Sequence, residues 1–200
     1  VIAGVARGRR LAVPTSGTRP TSDRVRESLF SSIESTLIAE GRAWSQVRVL
    51  DLFAGTGALG LEALSRGAPR AILVERSRAA VKVLEANVKV VACPGAEVIT
   101  RDARLLAGQP ATLPADLCFA DPPYDWSTAE LSDLLQGLGV AGWLAPGALV
   151  VVERPAKDGS SPLPASWTEA RRRAYGDTAL WYGRFAEPEP AQQRPDDRPS

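Results

Sequence analysis

Asp121-Pro122-Pro123-Tyr124 is the part of this chain whose residue types point most directly to chemistry. It follows Ala115 to Ala120, a short apolar run that reads as a buried strand. The tetrapeptide therefore sits at a strand's carboxyl end, the edge where open α/β sheets bind ligands. Two prolines fix φ and lack an N–H, so the loop is stiff and its carbonyls have no internal partner. The Asp121 carboxylate and the Pro122 carbonyl then offer two acceptors for both hydrogens of an amine on a flat ring. Its nitrogen is left facing an electrophile, with Pro123 holding the turn. Tyr124 adds a π-face on which a base can stack, worth about 1–3 kcal/mol. Trp126 reads as a second wall for that base or as a cover for the sheet edge.

A second constellation, Asp51-Leu52-Phe53-Ala54-Gly55-Thr56-Gly57-Ala58-Leu59-Gly60, lies between an apolar strand and a helix. Its glycines allow positive φ and close approach to a ligand, and the helix start presents free N–H groups. The spacing of Gly55, Gly57 and Gly60 satisfies the dinucleotide fingerprint. Glu75 ends the next strand, twenty residues past Gly55, where a carboxylate accepts from ribose hydroxyls. These features suit NAD or S-adenosylmethionine. Three observations favour the second. Asp51 puts negative charge beside the loop, which suits an ammonium and a sulfonium but not a pyrophosphate. Asp102, after the third strand, can accept from an adenine amine. The Asp121 loop opens onto the same crevice, where a methyl transfer to an aromatic amine needs it and a hydride transfer does not. Phe53, Ala54, Thr56, Arg76 and Ala103 are the remaining candidates to line the cofactor.

The elements that must position these residues follow from periodicity. An apolar stripe through Val25, Leu29, Ile33, Leu37 and Ile38 predicts a helix capped by Ser22 or Asp23. Strands are predicted over 47–53, 71–75, 96–100, 116–120 and 148–153, with helices from Leu59, over 78–91 and over 129–138. This alternation at βαβ spacing predicts a doubly wound, mostly parallel α/β sheet. Residues 168–173 and 178–185 form a pair of strands without a crossover helix, expected to join one edge antiparallel. Residues 2–13 read as a β-hairpin broken by Gly4 and Gly8. Residues 186–200, rich in Pro, Gln and charge, are expected to be disordered.

Of the 200 residues 44% are apolar, enough for one α/β domain with a small appendage. With no histidine, the commonest general base is absent, and two cysteines without CxxC spacing argue against a zinc site or disulfide scaffold. No metal is expected, no run is long enough to span a membrane, and the cysteine usage suits the cytoplasm. The formal net charge of +1 is unevenly spread. Arg7, Arg9, Arg10, Arg19, Arg24 and Arg26 oppose only Asp23 and Glu27 in the first thirty residues, a candidate phosphate-contacting surface.

Together these stretches resemble class I S-adenosylmethionine-dependent methyltransferases of the amino type, and more narrowly the RsmD family. The resemblance rests on residues 2–13, the block Arg19-Pro20-Thr21-Ser22-Asp23-Arg24 through Phe30, Asp51 to Gly60, Glu75, Asp102 and Asp121 to Tyr124. It implies methylation of a guanine N2 in bacterial 16S ribosomal RNA, within the small subunit or an assembly intermediate. It also implies a seven-stranded Rossmann-like sheet over residues 19–185, preceded by an RNA-contacting hairpin extension over 1–18. Arg7, Arg9, Arg10, Arg19, Thr21 and Arg24 would face the RNA. An adenine-N6 methyltransferase shares the Asp-Pro-Pro-Tyr motif, and a catalytically inactive RNA-binding module would share the basic amino terminus.

Overall fold

The computed structural model describes residues 1–13 and 23–186. Helix α1 (Asp23–Ala39) leads to β1 (Arg48–Asp51), followed by α2 (Ala58–Ser65), β2 (Arg70–Glu75), α3 (Arg78–Val91) and β3 (Ala96–Thr100). The second half holds β4 (Ala115–Ala120), α4 (Thr128–Val140), β5 (Leu144–Pro155), β6 (Thr168–Tyr175) and β7 (Thr178–Arg184). They build one seven-stranded sheet in the order β3-β2-β1-β4-β5-β7-β6. β1 to β5 pair in parallel, while β7 is antiparallel to β5 and β6 to β7. The chain winds outward from β1 to β3, then crosses to β4 on the other side of β1. The crossovers diverge between β1 and β4, which opens a crevice at their carboxyl ends.

Period-two alternation makes the central strands two-faced. Val49, Leu73, Leu117, Phe119 and Val151 face one core with the α1 stripe Val25, Leu29, Phe30, Ile33 and Leu37. Leu50, Ile72, Cys118, Val150 and Val152 face the other, closed by Leu131, Leu134, Leu135 and Leu138 of α4. A reciprocal cap starts α4: Ser127 Oγ accepts from the Glu130 amide, and Glu130 Oε2 accepts from the Ser127 amide at 2.9 Å. That cap sets where the helix begins after the Asp121 loop.

The expected amino-terminal β-hairpin does not form: residues 1–13 contain no strand. Their backbone groups are satisfied by turns within residues 1–9 and by α2 and α3 instead of by a partner strand. The buried Glu62 carboxylate accepts from the Ile2 amide at 2.7 Å and the Ala3 amide at 3.0 Å. Val5 donates to the Ser65 carbonyl at 2.8 Å, and Ala6 to Ser65 Oγ at 2.9 Å. Gly4 permits this contact, because at its φ of +78° a Cβ would lie 1.7 Å from the Ser65 carbonyl oxygen. The segment is thus docked on the domain, and the boundary expected after residue 18 falls outside the described residues.

Glu62 is also within 3.0 Å of Arg66 Nε, so its carboxylate serves three donors from a buried position. Glu62→Ala leaves two amides and a guanidinium short of an acceptor and is expected to lower stability by about 2–4 kcal/mol. Glu62→Gln, which keeps one oxygen, should lose less. Urea unfolding measures both, and hydrogen exchange at Ile2 to Ala6 should rise in the Ala variant.

Candidate active site

The carboxyl ends of β1, β2, β3 and β4 surround a cleft of about 310 Å³. Asp51, Phe53, Ala54, Gly55, Thr56, Glu75, Arg76, Asp102, Ala103, the whole Asp121-Pro122-Pro123-Tyr124 loop and Trp126 all line it. Of the residues expected around the cofactor only Gly57 is outside that lining. It is the α2 N-cap, in the left-handed region with φ 82°.

Asp51 is buried at the end of β1, and its Oδ2 accepts from the Gly60 amide at 3.1 Å. Burial pushes its carboxyl up to about 7, against the Gly60 and Phe53 amides that favour the anion and with the negative Glu75 adding to the rise. Gly60 is packed against β2: a Cβ there would lie 2.1 Å from Leu73 Cδ2. Glu75 reaches back across the loop. Its Oε2 accepts from the Gly55 amide at 3.0 Å and its Oε1 from the Ser77 amide at 2.7 Å. A carboxylate has about four lone-pair sites, so it can still accept from a ligand diol. Asp102 caps a short 3₁₀ turn through the Arg104 amide at 3.0 Å and lies near Arg76 (3.6 Å) and Arg104 (3.4 Å).

Asp121 follows β4 directly, beside Asp51 on the neighbouring strand. Burial holds its carboxyl well above the usual carboxylate range, and repulsion from Glu153 and Asp51 adds to the effect. Both prolines are in trans peptide bonds. The Pro123 carbonyl closes the turn by accepting from the Trp126 amide at 3.1 Å, whereas no described residue donates to the Pro122 carbonyl. Tyr124 stands at the rim with 80% of its surface exposed, so its ring is open to a stacking partner. Trp126 is buried edge-on to Phe53 at 5.1 Å under the Arg104 guanidinium, 3.8 Å from its ring. It is packed on the sheet edge and also lines the cleft. Its carbonyl accepts from the buried Arg154 at 2.8 Å, which holds it there.

The arginines separate into groups. Arg7, Arg10 and Arg24 are exposed. Arg9, also exposed, donates through one guanidinium nitrogen to the Val90 carbonyl at 2.7 Å and to that of Val91, so it caps the end of α3. Arg19 and Thr21 lie outside the described residues. Sequence reading missed Asn87. Its Nδ2 donates to the Thr56 carbonyl at 2.9 Å and the Ala12 carbonyl at 3.0 Å, while its Oδ1 accepts from the Ala12 amide at 2.7 Å. It clips the amino-terminal segment to the glycine loop. The signal was an asparagine on the buried stripe of α3, between Leu84 and Val91.

The cleft is therefore an acidic, partly apolar pocket with a carbonyl that has no donor among the described residues and an exposed aromatic ring at its mouth. It suits a cationic ligand and disfavours a pyrophosphate. Among the described residues no group of three or more His, Cys, Asp or Glu side chains is arranged to hold a metal ion.

Known proteins share this chain's sequence pattern and fold. A family model described as "Conserved hypothetical protein 95" matches residues 1–184. The Ribosomal RNA small subunit methyltransferase D of Escherichia coli (strain K12) is 39% identical over 180 residues, 90% of this chain and 86% of that protein. This chain belongs to the RsmD family. The Haemophilus influenzae member of the same name is 37% identical, with 88% of each chain covered. The solved structure of yhhF from Escherichia coli superposes on this RsmD-family chain with a TM-score of 0.79 and 36% identity, covering 93% of this chain and 97% of that one.

The raised Asp51 carboxyl sets a pH dependence. Between about pH 4 and pH 7 the unfolded chain has lost this proton while the folded protein keeps it, so stability falls as pH rises through that window and levels off above it. The share from Asp51 is about 3–4 kcal/mol. Asp121 acts in the same direction. Asp51→Asn is expected to flatten, without abolishing, the decline in urea-unfolding free energy between pH 4.5 and pH 7.5.

Proposed function

We propose that this protein transfers a methyl group from S-adenosylmethionine to the exocyclic N2 amine of a guanine in 16S ribosomal RNA of the small subunit. One observation carries the reading: the two acceptors of the Asp121-Pro122 loop share a cleft with the acidic glycine loop, and neither half has another evident use. Membership of the RsmD family supports the ribosomal substrate and favours guanine over the adenine-N6 alternative that the motif alone leaves open. It also weighs against an inactive RNA-binding module.

The residues present fit the cofactor. Glu75 would take the ribose hydroxyls, Asp102 the adenine amine, and Phe53 with Ala103 would flank the ring, while Asp51 would face the cationic amino-acid end. S-adenosylmethionine, when bound, supplies an electrophilic methyl carbon on a positively charged sulfur. That charge would lower the proton affinity of Asp51 and Asp121 and favour their carboxylates, offsetting the burial that raises both in the free protein.

The guanine amine is a poor nucleophile because its lone pair is shared with the ring. Asp121 and the Pro122 carbonyl accept its two hydrogens and turn the nitrogen toward the methyl carbon, so the protein's contribution is orientation and electrostatics. With transfer of the methyl group from sulfur to the amine, the S–C bond breaking as the N–C bond forms, Asp121 would stand next to a positively charged nitrogen. The nitrogen is then acidic and releases one proton to Asp121 or water, which removes the need for a strong base. The exposed Tyr124 ring stacks on the base once it is out of its helix, offsetting an unstacking cost of a few kcal/mol. Arg7, Arg10 and Arg24 contact phosphates, with Arg19 and Thr21 as further candidates. Arg9 supports the segment that carries Arg7 and Arg10.

Incubation with labelled S-adenosylmethionine and unmodified small-subunit rRNA or 30S particles, followed by nucleoside mass spectrometry, should yield N2-methylguanosine. N6-methyladenosine would overturn the substrate. In single turnovers at saturating cofactor, Asp121→Ala should lose about 10²-fold or more and Asp121→Asn about tenfold, because the amide keeps one acceptor. Equal losses in the two would reject positioning in favour of an obligatory base. Tyr124→Phe should stay near wild type, and Tyr124→Ala should not.

A further inference from the structure

A second and larger hollow, about 680 Å³, runs between α1 and the edge strand β6. One wall is a stripe of hydroxyls: Ser28, Ser31, Ser32, Ser35 and Thr36 recur at helical spacing along α1, with Ser31 and Ser35 exposed. The other wall is β6, where Arg171 and Arg173 point toward α1 from alternate positions. Arg172 points the opposite way, donating to the Ala156 carbonyl and lying over Trp181 at 5.6 Å.

Charge is unevenly placed along this groove. Glu40 and Glu169 line it, and both ion-pair with Arg184, Glu169 at 3.3 Å. Arg171 and Arg173 form no ion pair among the described residues. Arg171 instead lies over the Tyr182 ring, 4.8 Å from its centre, which fixes its guanidinium in the groove. Charged side chains on an edge strand guard it against pairing with another chain. That explains an exposed arginine run; of the facing hydroxyls, Ser35 and Thr36 donate to the Ser31 and Ser32 carbonyls at 2.9 Å and 3.0 Å, which leaves Ser28 and the exposed Ser31 to meet a ligand.

The groove also leads to the catalytic edge. Register places Arg184 opposite Leu149 near the start of the long pairing with β5, and Thr178 opposite Pro155 at its end. Tyr175, paired with Thr178, therefore lies at the same sheet edge as Asp121. Ser28, near the start of α1, lines the groove with it, whereas Glu40 and Arg184 mark the far end. From β4 to β6 is three inter-strand steps, about 15 Å. Ser28 to Glu40 adds about 18 Å of helix. A strand of a few nucleotides bridges the first distance, and Arg171 and Arg173 are about 7 Å apart along β6, similar to the step between neighbouring phosphates.

We infer that the groove between α1 and β6 binds the phosphodiester backbone of the RNA strand that carries the target base. Arg171 and Arg173 pair with its phosphates, and the Ser28 and Ser31 hydroxyls donate hydrogen bonds to the same strand. This inference rests on the RNA-methyltransferase reading above. It places the RNA track on both sides of the cleft, with the amino-terminal arginines on one side and β6 on the other.

The test is the binding of unmodified small-subunit rRNA to the full chain across a salt series. The Arg171→Gln, Arg173→Gln pair is expected to reduce the slope of log affinity against log salt by about 1.4–1.8, or about 0.7–0.9 for each phosphate that is no longer neutralised. Affinity should fall at least tenfold at physiological salt. The pair of lysine replacements should recover most of the slope. Arg173→Gln alone guards against disturbance of the Arg171–Tyr182 stack, and Ser35→Glu, on the opposite wall, should weaken RNA binding through repulsion. In all of them the affinity for S-adenosylhomocysteine, measured by calorimetry, should be unchanged. If wild type methylates the RNA while Arg173→Gln and Ser35→Glu bind it with wild-type affinity and slope, the groove assignment is overturned alone. If wild type neither binds nor methylates the RNA, the functional reading falls and the groove with it.

Discussion

The glycine loop after β1 can present its amides to a ligand only if something else holds it, and here three side chains do so. The Asp51 carboxylate takes the Gly60 amide at 3.1 Å, the Glu75 carboxylate takes the Gly55 amide at 3.0 Å, and the Asn87 amide donates to the Thr56 carbonyl at 2.9 Å. β1, β2 and α3 each supply one anchor. Two of the three are carboxyl groups, and burial raises that of Asp51 in the free protein. Burial with neighbouring negative charge raises Asp51 and Asp121 alike. A cation entering the cleft would relieve this repulsion, so one arrangement serves both loop geometry and ligand charge.

The same anchoring extends to the amino terminus. Asn87 holds Ala12 and Thr56 together, so the segment bearing Arg7 and Arg10 is tied to the cofactor loop by one side chain. Glu62 and Ser65 fasten the rest of that segment to α2, the helix the glycine loop begins. The exposed Arg7 and Arg10 and the amides of the glycine loop therefore share one support. Removing the segment would also uncover the buried Glu62 carboxylate, so the role of Arg7 and Arg10 is better read from side-chain substitutions than from truncation.

Trp126 joins the two halves of the cleft. Its ring packs on Phe53 from the β1 loop and beneath Arg104 from the β3 side, while its carbonyl is held by Arg154 of β5. The Asp121 loop is thereby fastened at its far end, leaving Tyr124 as the large exposed ring at the rim. A stiff loop with one exposed aromatic and one carbonyl that has no donor among the described residues is suited to orienting a base, since little ordering remains to be done on binding.

Much of this was legible in the chain itself. The helix over 78–91 and the strand over 96–100 have the bounds their periodicity indicates, and the antiparallel pair near the end joins the edge as its lack of a crossover helix requires. The residues expected at the cleft lie at the carboxyl ends of adjacent parallel strands, because chain polarity and βαβ spacing leave few other arrangements. What the sequence alone left open concerns partners far apart in the chain. Residues 2–13 alternate as a hairpin does, yet find their acceptors on α2 and α3, and Arg9 finds the end of α3. Trp126 could wall a base or cover the sheet until Phe53 and Arg104 took their places around it. Arg171 and Arg173 meet the serines of α1 because the sheet order sets β6 beside that helix. Periodicity and turn chemistry are local, so they are written in neighbouring residues. The partner of a buried carboxylate or an arginine depends on which element the fold brings opposite it, and only tertiary packing decides that.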